Sequence, residues 1–567
     1  MNNLSDNPII CKSAKIEPIL KIARKLNIDE DYLIPYGRYI AKIELSILEK
    51  IKSNPQGKYI LVTTITPTPL GEGKTVTTIG LAMALNRLGK KAICCIRQPS
   101  LGPVFGFKGG AAGGGCAQVF PADDFNLHFT GDTHAVSLAH NLASAFLDNH
   151  IYHGNKLKIN PARISWRRVL DISDRSLRNI KIGLGNFDDN MPQESGFDIA
   201  AASEVMAILA LSKDFLDLRK RLGKIVLAEN FQGEPITCDD IKVAGSMAAL
   251  LKNAIKPNLI QTQENTPCFA HTGPFANIAH GNSSVVADKI ALGLAEYVVT
   301  EAGFGADCGA EKFFDIKCRV SGLIPDVAVL VCSIRALKVH SGKIKIIPGK
   351  PLDERLNKEN LALLEEGIDN LKKQIENVKI FGIPVVVAIN RFFSDTDQEI
   401  EFVKKIALEF GAYACCVSEI WQKGSLGGIE LAEKTMEASL QPKKFNFLYS
   451  LENSIKDKIR IIATIIYGAK DVEYSQEAEE KIRIFTQRGW DKLPICMAKT
   501  QFSLSHDPNL KGRPEGFILP IRDIRAALGA GFLYPLCGKI ETMPGLPSHP
   551  RGQDIDIDEK GNIRGLS

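Results

Sequence analysis

Short apolar, β-branched runs recur along the chain between amphipathic stretches of helical period. They are KYILVTTI, KKAICCI, KIVLAEN, NLIQT, YVVTEAG, DVAVLVCSI, IPVVVAIN and AYACCVSEI, beginning at Lys58 and ending at Ile420. Runs this continuously apolar suit strands buried on both faces, as in a parallel sheet covered by helices. Their alternation with helices predicts an α/β, doubly wound, mostly parallel sheet of the P-loop type, accompanied by two smaller α/β domains. Several strands run straight into a polar or irregular motif. Ile96 leads into Arg97-Gln98-Pro99-Ser100, Val299 into TEAGFGAD, Ile389 into NRFFSDTD and Ile420 into WQKGS. Ligands of open parallel sheets bind outside the carboxyl ends of strands, so these motifs are expected to share a cleft.

Domain boundaries are less marked. The lysine-rich piece His340–Asn360 and the charged stretch near Lys470–Glu480 suggest units of 1–350 (nucleotide-binding), 351–470 and 471–567. A length of 567 residues fits this number, on a prior of roughly 150 residues per domain. Composition changes the picture little: 45% hydrophobic and 24% charged residues are ordinary for a globular protein. The net charge of +5 gives no case for nucleic acid or an acidic membrane surface as partner. Thirteen cysteines lie without a C-x-x-C pair, which reads as reduced thiols in a cytoplasmic protein. The N-terminus lacks the apolar centre of a signal peptide, and no apolar run approaches the length of a membrane span.

The chemistry concentrates first in TPTPLGEGKTVTT, Thr66 to Thr78. Gly73, Lys74 and Thr75 fit the end of a G-x-x-x-x-G-K-[ST] loop, but Thr68 stands in place of the first Gly. A strand precedes the loop and a helix follows, so amides at the helix start could hold phosphates while Lys74 bridges the terminal ones. Thr75 could ligate Mg²⁺. The nucleotide-binding candidates are therefore Thr68, Pro69, Leu70, Gly71, Glu72, Gly73, Lys74 and Thr75; a glycine turn with a solvated lysine is the bland alternative. Arg97, on leaving the next strand, could hold a phosphoryl group in bidentate fashion or pair on the surface. Lys108, in FKGGAAGGGCAQ, lies among small residues that let backbone approach an anion, or in a plain flexible loop. His128, His134 and His140 match no zinc spacing. Asp132 is the better candidate, for Mg²⁺ or for orienting substrate, with a helix cap as its alternative. Phe392 and Trp421, each just past a strand end, could stack on a flat heterocycle or pack locally.

Taken together, these segments resemble the formate–tetrahydrofolate ligase family. The matching pieces include TPTPLGEGKT, RQPSLGPVFGFKGGAAGGGCAQV, NLHFTGDTHA, DNHIYHGN, GFDIAAASEVMAIL, GPFANIAHG, VVTEAGFGADCGAEKFFDIKCR, AKTQFSLS and TMPGLP. The resemblance implies ligation of formate to tetrahydrofolate through formyl phosphate, giving 10-formyltetrahydrofolate, ADP and phosphate. It implies ATP as substrate, Mg²⁺, a stimulating monovalent cation (K⁺ or NH₄⁺), no tightly bound organic cofactor, and a cytoplasmic homotetramer. On it, Lys74 and Arg97 match phosphate and formyl-phosphate contacts, and Phe392 and Trp421 match a pterin clamp; with Asp132 from the reading of the residues above, Lys74, Arg97 and Asp132 are the catalytic candidates. Two positions depart from the family pattern: Val76, where a Ser or Thr is common, and Leu426 in QKGSLGG, where an acidic residue is common. A P-loop switch ATPase with a protein partner, or a weakly active paralogue, are the competing readings.

Overall fold

The computed structural model describes residues 15–184, 192–346, 351–538 and 540–566. The N-terminal residues read for a signal peptide, and position 350 of the first domain boundary, lie outside the described residues. The dominant feature is a 12-stranded mixed sheet. Its main strands are β1 (Leu33–Tyr36), β2 (Ile40–Ile43), β3 (Lys58–Thr64), β4 (Ala92–Ile96), β5 (Asn258–Thr262), β6 (Pro267–Ala270), β7 (Tyr297–Gly305), β8 (Val327–Cys332), β9 (Val385–Asn390) and β10 (Ala414–Ser418). They lie in the order β1-β2-β5-β6-β4-β7-β3-β8-β9-β10. From β6 to β10 every neighbouring pair is parallel, whereas β1, β2, β5 and β6 pair antiparallel. The α/β, mostly parallel expectation is met.

Both faces of the parallel part are covered, and the strand residues show it by alternation. In β3, Tyr59 and Leu61 join one apolar cluster while Ile60 and Val62 join the other. In β8, Ala328, Leu330 and Cys332 face the first cluster, and Val327, Val329 and Val331 the second. Successive side chains of a strand point to opposite faces, so a strand buried on both must be apolar throughout. Helix α1 (Lys74–Arg87) follows β3 and is buried continuously from Thr77 to Leu85. A helix apolar all round belongs in the interior, which makes α1 a central element. Helix α2 (Asp132–Tyr152) and helix α3 (Asp369–Lys379) pack on the other face.

Two expectations are refined. KIVLAEN is a strand, Val226–Asn230, but it pairs antiparallel with Pro235–Thr237 and Ile159–Ile164 in a separate three-stranded sheet. NLIQT is β5, on the antiparallel side. The sheet also continues past residue 351: β9 and β10 extend the one that holds β3. Residues beyond 471 form small two-stranded pairings of their own, such as Asp471–Tyr474 with Ile518–Ile521. Cys94, Cys95, Cys415 and Cys416 carry no disulfide. No helix among the described residues is long and apolar enough to cross a membrane.

Candidate active site

The loop between β3 and α1 is anchored at its start. Thr66 donates its N–H to Asn370 Oδ1 (3.0 Å), and its hydroxyl accepts from Asn370 Nδ2 and Gln374 Nε2, both 2.9 Å, so α3 fixes where the loop departs. Thr68 then closes the turn on Glu72: its N–H and hydroxyl donate to Glu72 Oε1 at 2.7 and 2.9 Å. A glycine at 68 could not supply the second of these bonds, which explains Thr68. The left-handed positions fall instead at Gly71 (φ 76°) and Gly73 (φ 83°), which glycine adopts without penalty. A Cβ on Gly73 would also lie 2.3 Å from Asn390 Nδ2, so this position admits only glycine. Gly73 has no side chain to cap α1, and the first amides of the helix face the loop uncapped. Burial lifts the Glu72 carboxyl to about 7, against the pull of its Thr68 hydrogen bonds.

The charged centre is built from the start of α1, the end of β4 and the middle of β7. Lys74 pairs with Glu301 Oε2, and the Thr75 hydroxyl donates to the same oxygen at 2.9 Å. Arg97 Nε lies 3.7 Å from Glu301 Oε1, and an Arg97 terminal nitrogen donates to Pro274 O at 3.0 Å. β3, β4 and β7 are neighbours in parallel register, so residues just beyond or near their carboxyl ends converge. Burial pushes Glu301 upward, but Lys74 and then Arg97 outweigh it and hold the carboxyl at about 2. Burial lowers Lys74, with Glu301 raising it and Arg97 lowering it further. The arrangement gathers two cations and a hydroxyl around one carboxylate, at the start of an uncapped helix. It can accept a phosphate by exchanging part of that pairing.

Lys74, Thr75 and Arg97 are therefore brought together as the sequence suggested. Asp132 is not part of that cluster. It opens α2, accepts from Lys42 Nζ at 2.7 Å and from Asn258 Nδ2 at 2.7 Å, and belongs to the antiparallel side of the sheet. His140 is held by Ser203 and the Arg167 carbonyl, both at 2.8 Å, and stacks on Trp166; burial lowers it to about 3. His128 and His134 are exposed. No group of three or more His, Cys, Asp or Glu residues among the described residues is placed to share a metal.

Phe392 and Trp421 follow β9 and β10, which are adjacent strands. Arg335 stacks over the Phe392 ring at 4.5 Å, and the Phe392 N–H donates to Asp395 at 2.8 Å. Trp421 is 41% exposed and its carbonyl accepts from Cys116 N at 2.9 Å. Its turn seats directly on α1, because a Cβ on Gly80 would fall 2.1 Å from Ile420 Cγ2. A Cβ on Gly115 would fall 2.8 Å from the Trp421 ring, and one on Gly114 3.3 Å from its Nε1 and 3.7 Å from Val76 Cγ2. Val76 is thereby explained: it packs in the apolar cluster beneath the Gly113–Gly115 ribbon. Leu426 is 61% exposed, while Ser425 beside it is tied to Arg87 and Glu264, so the turn is held without an acidic residue at 426.

The residue that sequence reasoning missed is Glu301. Its signal was its place in TEAGFGAD at a strand end, but nothing in one dimension aims that carboxylate at both Lys74 and Arg97.

Fold and site define an α/β protein in which two cations and a hydroxyl gather on one carboxylate near the carboxyl ends of a parallel sheet. A family model described as formate–tetrahydrofolate ligase matches residues 5–567. The chain is 56% identical over 558 residues to the formate–tetrahydrofolate ligase of Roseiflexus sp. (strain RS-1), covering 98% of this chain and 99% of that protein. It is 53% identical over 576 residues to formate–tetrahydrofolate ligase 1 of Rubrobacter xylanophilus, covering all of both, and 54% identical to the Desulforamulus reducens ligase over 98% of each. The chain belongs to the formate–tetrahydrofolate ligase family.

Proposed function

We propose that the chain ligates formate to tetrahydrofolate in two displacements, with Lys74 and Arg97 as the charge-neutralising groups of the first. A formate oxygen attacks the γ-phosphorus of ATP, the bond to the β-phosphate oxygen breaks, and ADP leaves. The folate amine then attacks the formyl carbon, inorganic phosphate departs with the carbon–oxygen pair, and the amine loses its proton. Phosphate leaves far more readily than oxide, which is why activation precedes transfer. Positioning and charge neutralisation supply the catalysis. The observation that carries this reading is the convergence of Lys74, Thr75 and Arg97 on Glu301.

Residues Thr68 to Thr75 line the proposed ATP loop. Mg²⁺ fits the hard-oxygen donors present, the Thr75 hydroxyl with a Glu301 oxygen beside it, since Mg²⁺ takes few protein ligands beyond substrate phosphates. When bound it would neutralise charge on the β- and γ-phosphates. A stimulating monovalent cation belongs to the same reading, with no ligands assigned. Phe392 and Trp421 take the pterin between adjacent strand ends; Asp132 serves as a positioning residue, tying α2 to β2 and β5 through Lys42 and Asn258. The family suggests a cytoplasmic homotetramer, and the 351–470 region is proposed as the folate side. The test is product formation with each substrate omitted in turn. Full reaction is expected only with formate, ATP and tetrahydrofolate together; ADP release indifferent to formate would overturn the reading in favour of a switch ATPase.

A further inference from the structure

Beyond the two cations on Glu301, a third faces the same centre. Lys108 ends the wide helical turn Val104–Lys108, and its ammonium lies 5.6 Å from the centroid of the Phe304 ring. Phe304 is held at φ 57°, a left-handed conformation that a bulky residue rarely adopts, three residues after Glu301 on β7. Among the described residues no hydrogen bond or ion pair holds the Lys108 ammonium, and its side chain is open to solvent. Lys74 and Arg97 are already paired, so Lys108 is the cation free to meet an incoming anion.

Its position depends on a distant stretch of chain. Gly110 donates its N–H to Leu566 O at 2.8 Å, and a Cβ on Gly110 would lie 2.5 Å from that oxygen. A Cβ on Gly552 would lie 3.3 Å from Phe105, so the turn Arg551–Asp554 seats directly on the segment that carries Lys108. Leu566 itself is buried. The strap is fixed at its near end by Met543, whose carbonyl accepts from Arg178 Nε at 2.9 Å.

We propose that Lys108 is a further substrate-contacting residue of the ligase reaction, donating to an oxygen of the transferring phosphoryl group, and that residues 543–566 position it by clamping Phe105 and Gly110. This rests on the function proposed above. The groups facing Lys108 are Arg97, Lys74, Glu301 and Glu72. Surrounding protein, then the like charges of Arg97 and Lys74, bring it down to about 8, even though the side chain reaches solvent. The free enzyme therefore carries the charged form below that pH and loses it above.

The test compares Lys108→Met, Lys108→Arg, Gly110→Ala and Leu566→Asp in kcat/KM for ATP across pH 6 to 10, with ATP affinity measured separately by calorimetry. Lys108→Met should lower kcat/KM by about a hundredfold, the scale of one lost transition-state donor, and weaken ATP binding. Lys108→Arg should keep most activity and move the alkaline limb upward, because a guanidinium stays charged. Gly110→Ala and Leu566→Asp should each lose roughly tenfold in kcat/KM at unchanged limb position, by a displacement of the order that misplaced catalytic groups show. Lys108→Met within threefold of the unaltered protein in both kinetics and ATP affinity would overturn the assignment, as would a limb unmoved in Lys108→Arg. Full activity in both strap variants would overturn the clamp. An unaltered protein that binds ATP but makes no product would instead sink the ligase reading, leaving Lys108 to be judged by the ATP-binding arm.

Discussion

Two of the buried lysine–carboxylate pairs among the described residues, Lys42–Asp132 and Lys74–Glu301, each join the sheet to a helix start and differ in what surrounds them. On the antiparallel side, Lys42 donates to Asp132 and to the Lys256 carbonyl, and Asp132 also accepts from Asn258. That network is nearly closed, and its members sit in the interior. On the parallel side, Lys74 and Glu301 are joined by Thr75 and by Arg97 at the longer distance of 3.7 Å, and Arg97 Nε is buried without a hydrogen bond among the described residues. The first pair is satisfied where it stands; the second retains binding capacity and opens on uncapped helix amides. Satisfaction, rather than burial or residue type, separates a pair that holds the fold from one that can exchange partners with a ligand.

The sharpest way to break this contrast is to remove the lysines separately. Lys42→Ala leaves Asp132 buried and uncompensated, which should cost about 3–5 kcal/mol of stability. Chemical denaturation should show that loss, while the kcat of the folded fraction falls far less than in Lys74→Ala. Lys74→Ala should act mainly on turnover: a barrier raised by roughly 2–4 kcal/mol, with a smaller loss of stability than Lys42→Ala because Arg97 still faces Glu301. Arg97→Ala should follow Lys74→Ala. If Lys74→Ala unfolds the protein and Lys42→Ala spares it while abolishing kcat, the distinction is wrong.

Smaller effects sharpen it. Glu301→Gln removes the carboxylate that holds the two cations, so kcat should fall less than for either cation, with ATP binding altered more than formate binding. Acid titration gives an independent check. Glu301 titrates near 2 when folded, below its ordinary 4.5. Its ionised form therefore stabilises the fold above about pH 4.5, and that contribution is lost as pH falls toward 2. Glu301→Gln should lack this part of the acid limb in denaturation curves. Smallest is Trp421→Ala, which should raise the folate KM roughly tenfold, the scale of one stacking contact, and leave ATP kinetics alone. Unchanged folate kinetics would remove Trp421 from the pterin site.

Much of this was legible in one dimension. Continuous β-branched runs foretold β3, β4, β7, β8, β9 and β10, because strands buried on both faces leave no room for polar alternation. The antiparallel strands β1 and β2 are too short, at four residues each, to announce themselves, and KIVLAEN carries the same apolar signal whichever sheet it joins. Lys74 and Thr75 were legible from the G-K-T ending of the loop, and Arg97 because it follows a strand end. Glu301 was not, since its role comes from lateral neighbours in the sheet. Nor could spacing reveal that Val76 faces the Gly113–Gly115 ribbon rather than the nucleotide loop.

In the proposed reaction the Lys74–Glu301–Arg97 centre transfers the γ-phosphoryl group of ATP to formate. Formate labelled with ¹⁸O in both positions, incubated with the protein, ATP and tetrahydrofolate, tests it most directly. Attack by formate on phosphorus predicts one ¹⁸O in each inorganic phosphate released and one retained in the 10-formyl group. Phosphate free of label, with product still formed, would contradict the account.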